Sequence, residues 1–169
     1  MSRKIFFLII FILFCFSYPN YFYATPPLQE GVGLRVKAWV KPIRLSRQQQ
    51  GQVVLKFKIP ENLRVKPLPN FIIEFEPSDG ALFSKNFFTA SDLSMEILED
   101  DGQEYLNLSQ PVEITFTVPL KAKRGRHVIR GKVKYFAYSI SENWCLKTTA
   151  KFETYFYTRA SVYRKKSGK

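Results

Sequence analysis

An immunoglobulin-like β-sandwich of about seven to nine strands is the all-β fold that this sequence predicts. Two observations predict it. Apolar and polar residues alternate with a period of two through most of the chain, the pattern of strands that bury one face. Prolines and polar turn clusters cut that pattern into short runs, and no stretch carries a helical stripe. A chain of 169 residues supplies the core of one domain and is too short for two.

The N-terminus comes first. Arg3 and Lys4 precede an apolar run at 5–16, and a more polar stretch ends in the small residue Ala24, the layout of a secretory signal. The run is 12 residues long, whereas a spanning helix takes about 20. A cleaved signal is therefore expected, with an uncleaved membrane anchor as the lesser alternative. The sequence divides into a signal peptide at 1–24, a domain at 25–160 and a basic tail at 161–169 expected to be disordered. The expected location is the periplasm or the secreted space. Removing the signal takes Cys15 with it and leaves Cys145 as the one cysteine, so no internal disulfide can form.

Within the domain, Val36, Ala38 and Val40 alternate with Lys37, Trp39 and Lys41 up to Pro42. Val53, Leu55, Phe57 and Ile59 alternate with Val54, Lys56 and Lys58 up to Pro60, with polar turn material at 48–51 between the two runs. Phe71, Ile73 and Phe75 form a third run closed by Pro77 and the turn Ser78-Asp79-Gly80. Residues 81–94 hold three phenylalanines without a period and read as a loop with a short strand. A strand at 95–98 precedes the turn cluster Asp100-Asp101-Gly102. Val112, Ile114, Phe116 and Val118 line the next strand, and a basic turn at 121–125 follows. Last comes the longest pair. Ile129, Gly131, Val133, Tyr135 and Ala137 face inward on one strand; Trp144, Leu146, Thr148, Ala150 and Phe152 do so on the other, with 138–143 as the connection.

Charge is segregated. From Glu74 to Glu113 there are ten acidic residues and one basic, Lys85; from Ile114 to Lys169 there are fourteen basic and two acidic. Such a field attracts acidic partners, anionic lipid headgroups or envelope polyanions. Trp39, Phe136 and Tyr138 interleave with Lys37, Lys41, Arg130, Lys132 and Lys134 on outward faces, a mixture suited to polyanions. Export argues against nucleic acid.

Most enzyme classes drop out on inventory. His127 is the one histidine, with no cysteine or histidine at ligand spacing, so neither a metal site nor a cofactor is expected. No nucleophile elbow or glycine-rich phosphate loop is present, and His127 reads as structural. Cys145 is on the side of Lys147, Thr149 and Lys151 by alternation, a setting that brings cations near the sulfur. A bulge beside the turn would reverse that parity and bury it. The Asn107-Leu108-Ser109 acceptor pattern matters only in a eukaryotic secretory route.

Residues 133–146, Val-Lys-Tyr-Phe-Ala-Tyr-Ser-Ile-Ser-Glu-Asn-Trp-Cys-Leu, resemble the N-terminal domain of the bacterial thiol:disulfide interchange protein DsbD. The resemblance implies a periplasmic immunoglobulin-like domain with two cysteines around its final hairpin. They follow the pattern tyrosine, two residues, cysteine, a short polar loop, an aromatic and cysteine. Cys145 matches the second, and Tyr138 stands where the first would be. The resemblance implies Cys145 as the reactive residue, surrounded by Tyr135, Tyr138, Trp144 and Lys147 as binding residues. It also implies a cap loop, for which Phe83, Phe87 and Phe88 are candidates. Its partners would be periplasmic proteins, thioredoxin-like or membrane redox proteins. Without a second thiol the internal dithiol–disulfide cycle is closed to this chain. Three functions follow as expectations: a binding or accessory module, a one-cysteine exchange protein, and an envelope domain that binds polyanion or lipid.

Overall fold

The computed structural model describes residues 33–67, 71–100 and 102–159. The expected signal, the first residues of the domain and the basic tail lie outside the described residues. Twelve strands form: β1 (Arg35–Lys41), β2 (Arg44–Leu45), β3 (Gln50–Lys58), β4 (Leu63–Val65), β5 (Ile72–Phe75), β6 (Leu82–Phe83), β7 (Phe87–Thr89), β8 (Ile97–Asp100), β9 (Gln103–Leu106), β10 (Val112–Thr117), β11 (Gly125–Ser139) and β12 (Cys145–Thr158). Several are only two or three residues long, which is why the count exceeds what alternation alone predicts.

One sheet has the order β1-β3-β10-β6, and a second has β2-β12-β11-β5-β7 with β4 beside the far end of β11. The two are the layers of an immunoglobulin-like sandwich, antiparallel throughout except where β2 runs parallel to β12. A separate hairpin, β8–β9, belongs to neither sheet. The chain crosses from the first sheet to the second at Pro42, where the proline also ends β1.

Alternation sets the layers. Along β11 the inward residues Ile129, Gly131, Val133, Tyr135, Ala137 and Ser139 are buried while their neighbours are not, and Thr148, Phe152, Thr154 and Phe156 do the same on β12. On the first sheet Val53, Leu55, Phe57, Ile114 and Phe116 answer them. Val54 is also fully buried, although it faces outward. It pairs with Trp39 and Glu113 on its two flanks, so the indole and the Lys41–Glu113 ion pair at 3.6 Å shelter it from outside.

Aromatic rings tie the layers together. Phe75 of the second sheet stacks on Phe83 of the first at 3.9 Å between centroids, and meets Phe88 and Phe152 edge to face at 6.0 and 5.7 Å. Phe116 continues the chain to Phe83 and Phe156. The cap loop was expected at Phe83, Phe87 and Phe88, and two of these rings pack into the interior. Phe83 and Phe88 belong to this ring cluster, because residues 81–89 cross from one sheet to the other and pay the crossing with two aromatic anchors. Phe87 is exposed but pairs in register with Glu74, next to Lys132, six residues and about 20 Å along the strand from the row of Cys145.

Tyr135, expected as a binding residue, is only 2% exposed. Its Oη accepts a hydrogen bond from Leu34 N at 2.8 Å, and burial pushes the phenol above its ordinary value. Its neighbours on the inward face leave it no route to a partner.

Gly131 sits in one cross-strand row between Phe75 and Phe152. A methyl group there would come within 2.5 Å of the Phe152 ring and 2.6 Å of the Glu74 carbonyl oxygen. The backbone oxygen cannot step aside cheaply. Gly131→Ala is expected to cost about 1–3 kcal/mol, read as a lower denaturant midpoint at unchanged slope; an unshifted midpoint would mean the row is loosely packed.

Candidate functional site

The turn end of the β11–β12 hairpin gathers most of the residues singled out from the sequence. Tyr138 and Cys145 are direct cross-strand partners, and Arg64 of β4 is the partner of Tyr138 on its other side. Directly paired residues share a face, so Cys145, Tyr138 and Arg64 form one outward row. Cys145 is exposed and, among the described residues, in no disulfide. It is on the side of Lys147, Thr149 and Lys151, and no bulge turns it into the core.

Backbone bonds define the row further. Phe136 O accepts from Lys66 N at 3.1 Å and Arg130 O accepts from Glu76 N at 2.9 Å, so even-numbered residues of β11 turn their amides toward β4 and β5. Tyr138 and Cys145 are therefore a non-hydrogen-bonded pair, the class with the closer side chains.

The connection is a tight turn. Ser139 N donates to Trp144 O at 2.9 Å and Asn143 N to Ser139 O at 3.1 Å. Asn143 has φ of 52°, a left-handed conformation that asparagine tolerates better than most residues. Its side-chain oxygen accepts from Tyr138 Oη at 3.0 Å, which fixes the phenol over the turn. Trp144 is half-buried against the core and its Nε1 donates to Glu142. Lys147 pairs with Phe136, one row away from Tyr138.

β4 and the β8–β9 hairpin complete the surroundings. Neither β4 nor β9 is visible in the alternation, because three- and four-residue strands fall below its window. The Lys66 ammonium lies 4.8 Å from the Tyr138 ring centroid and bonds Gln103 of β9. The Arg64 guanidinium lies 5.3 Å from the Tyr105 ring. Between them is a cleft of about 140 Å³ lined by Arg64, Lys66, Asp100, Glu104, Tyr105 and Tyr138, with Ile140 exposed on its rim. An open groove of about 340 Å³ continues past Arg64 and Tyr105 over Leu63, Leu98 and Leu106.

Two cations, two carboxylates and the rings of Tyr105 and Tyr138 thus line one cleft. His127 is at the other end of β11, where it contacts Lys123 O and Phe156.

The middle of the same outward face is cationic. Glu74 bonds both Lys132 and Lys134, while Lys151 stands directly opposite Lys132, a like-charge pairing that works against the sheet. Hydrogen bonds from Lys134 and then Lys132 hold the Glu74 carboxyl below its ordinary value.

No protein-family model matches the chain, and no curated protein is similar to it. Solved structures give weak likenesses. The seventh type I cohesin of ScaB from Pseudobacteroides cellulosolvens has a TM-score of 0.42 at 9% identity, covering 75% of this chain and 94% of the cohesin. A type I cohesin–dockerin complex from Clostridium thermocellum gives 0.39 at 12% identity, over 73% of this chain and 99% of the other. The major pilin BcpA of Bacillus cereus gives 0.35 at 9% identity, over 75% of this chain and 40% of the pilin. At these scores none of them carries an argument about partner or activity.

Two outcomes follow from the geometry. Tyr138→Cys places a second thiol at about 4.5 Å between Cα atoms from Cys145, inside the disulfide range; mild oxidation is expected to close the bond within one chain, seen as loss of both free thiols without dimer. Failure to close would mean the register at the turn differs. For Glu74, the lowered carboxyl contributes stability that is full above the ordinary glutamate range and lost as pH falls through its depressed value. Glu74→Gln is expected to remove that acid-limb dependence at a cost under about 1 kcal/mol at neutral pH, since ion pairs at the surface contribute little; an unchanged pH profile would show the ion pairs to be idle.

Proposed function

We propose that this chain is an exported binding module that docks a protein partner through the turn end of its β11–β12 hairpin. The observation that carries this reading is the row Cys145–Tyr138–Arg64 beside the cleft at Lys66 and Tyr105. It joins an exposed thiol, an aromatic ring flanked by a cation, and apolar Ile140 on one accessible edge. Aromatic and arginine side chains in such settings dominate binding energies. Export is supported by Arg3, Lys4, the apolar run at 5–16 and Ala24.

The scaffold reading is a DsbD N-terminal-like domain that has lost the two-cysteine cycle. Support comes from the resemblance of residues 133–146 and from Tyr138 being opposite Cys145, the place a cross-strand partner thiol would take. In this reading the envelope partner is a thioredoxin-like or membrane redox protein, bound without electron transfer.

A second reading is favoured by the exposure of Cys145. Its sulfur would join one sulfur of a partner's disulfide as that bond opens and frees the partner's second thiol. Resolution would need that thiol or another from outside, because Tyr138 holds the place of an internal one.

Site-specific photocrosslinking in cells distinguishes the site from the rest of the surface. A crosslinker in place of Tyr138 or Lys147 is expected to trap one discrete partner, while one in place of Lys56 on the first sheet traps none. Tyr138→Ala should then weaken that partner at least about tenfold, and Cys145→Ser should leave it bound if the module only docks. Loss of the partner with Cys145→Ser alone would favour exchange, and equal crosslinking at all three positions would remove the site.

A further inference from the structure

The opposite end of the hairpin is built for a different contact. There β11 opens with Gly125 opposite Thr158, and β2 runs alongside Tyr157 and Thr158. The preceding turn is held firmly. Ala122 N donates to Pro119 O at 3.0 Å, Arg47 Nε donates to Ala122 O at 2.9 Å, and His127 Nε2 lies 2.7 Å from Lys123 O. The imidazole stacks on the buried Phe156 at 5.1 Å, in space that Gly80 leaves open, since a methyl group there would come within 2.3 Å of its Nδ1.

This pinned end is strongly cationic. Arg44, Lys121, Lys123, Arg124, Arg126 and Arg159 are all exposed, and none of them is in an ion pair among the described residues. The adjoining segment at 76–80 brings two carboxylates, Asp79 in the turn and Glu76, whose amide donates to Arg130 O. Beyond Arg159 the sequence adds Arg164, Lys165, Lys166 and Lys169.

Apolar side chains project from the same end. Leu120 is 64% exposed at the tip of the turn, and Ile43, whose carbonyl accepts from Tyr157 N, is 47% exposed. Tyr155 and Tyr157, each 40% exposed, pack edge to face at 5.7 Å, with the Arg126 guanidinium 4.6 Å from the Tyr155 ring. Leucine, isoleucine and tyrosine set among unpaired cations is the composition of a bilayer-surface contact. Phosphates meet the cations, and the apolar tips enter the boundary between headgroups and acyl chains. A soluble acidic polymer would use the cations but would gain nothing from Leu120.

We propose that this end of the sandwich is a docking surface for an anionic phospholipid bilayer. The proposal stands apart from the partner site, which is at the far end of the same strands. Each Lys or Arg near such a surface strengthens binding about fivefold, so the end as a whole prefers anionic to neutral lipid.

The test is flotation of the full chain with phosphatidylglycerol-containing vesicles and with phosphatidylcholine vesicles. The apolar segment at 5–16 is common to every sample, so only differences between lipids and variants count. The unchanged chain is expected to favour the anionic vesicles more than tenfold, and to lose that preference as salt rises toward about 1 M. Lys121→Glu, Lys123→Glu and Arg124→Glu together should lower anionic binding on the order of a hundredfold. Leu120→Ser with Ile43→Ser should weaken vesicle binding severalfold and leave binding to soluble polyphosphate unchanged. Thermal unfolding checks that each variant folds, and the salt titration needs no variant. Equal binding to both lipids, or a charge-reversed chain that floats like the original, overturns the proposal. So does an apolar pair without effect on vesicles, which would assign the cations to a soluble polyanion.

Discussion

The two sheets are held in register by a glycine between two phenylalanines. Phe75, Gly131 and Phe152 occupy one row across β5, β11 and β12, and the missing side chain lets the rings of the outer two meet edge to face. Phe75 then stacks on Phe83 from the opposite layer, so a contact within one sheet becomes a contact between sheets. Each such ring buries about 1.5–3 kcal/mol of apolar surface, and each pair adds about 0.5–1.5 kcal/mol. A core made this way needs no disulfide, which leaves the domain's cysteine free to face water.

The long strands were open to reading from residue order because burial on one side imposes a period of two on every residue type. β1, β3, β10, β11 and β12 follow it closely, and Tyr138 and Cys145 fall on the outer side accordingly. Short elements escaped for the same reason. β4 has three residues and β9 has four, and what places them is pairing with β11 or with β8, a long-range relation that leaves no local period. The aromatic stretch at 81–88 was ambiguous in composition. A loop that crosses between layers needs apolar anchors as much as a loop that covers a site does, and only the register of Phe87 with Glu74 separates the two. Tyr135 carried the opposite signal: its inward parity was visible, but its membership in the motif drew it to the surface. Its bond to Leu34, 101 positions away, is beyond any local pattern.

The surroundings of Tyr138 show how strand pairing and a tight turn together fix one exposed ring. On the β12 side the close, non-hydrogen-bonded geometry would suit two sulfurs, and on the β4 side the ring meets the Lys66 ammonium just past that strand. Lys66 over the ring and Asn143 on the hydroxyl hold the phenol in one orientation. A fixed ring costs a partner less ordering on binding than a mobile one does.

β11 runs unbroken for fifteen residues, about 45 Å, from the cationic end to the turn that carries Tyr138. Ile129, Val133, Tyr135 and Ala137 lie in the buried core, and β12 is paired to β11 throughout, which holds both strands extended. The hairpin is therefore a fixed-height pillar. If its base rested on a lipid surface, anything bound at the turn would be met at one altitude above the headgroups, out of reach of partners lying flat on the membrane and accessible to those that rise from it.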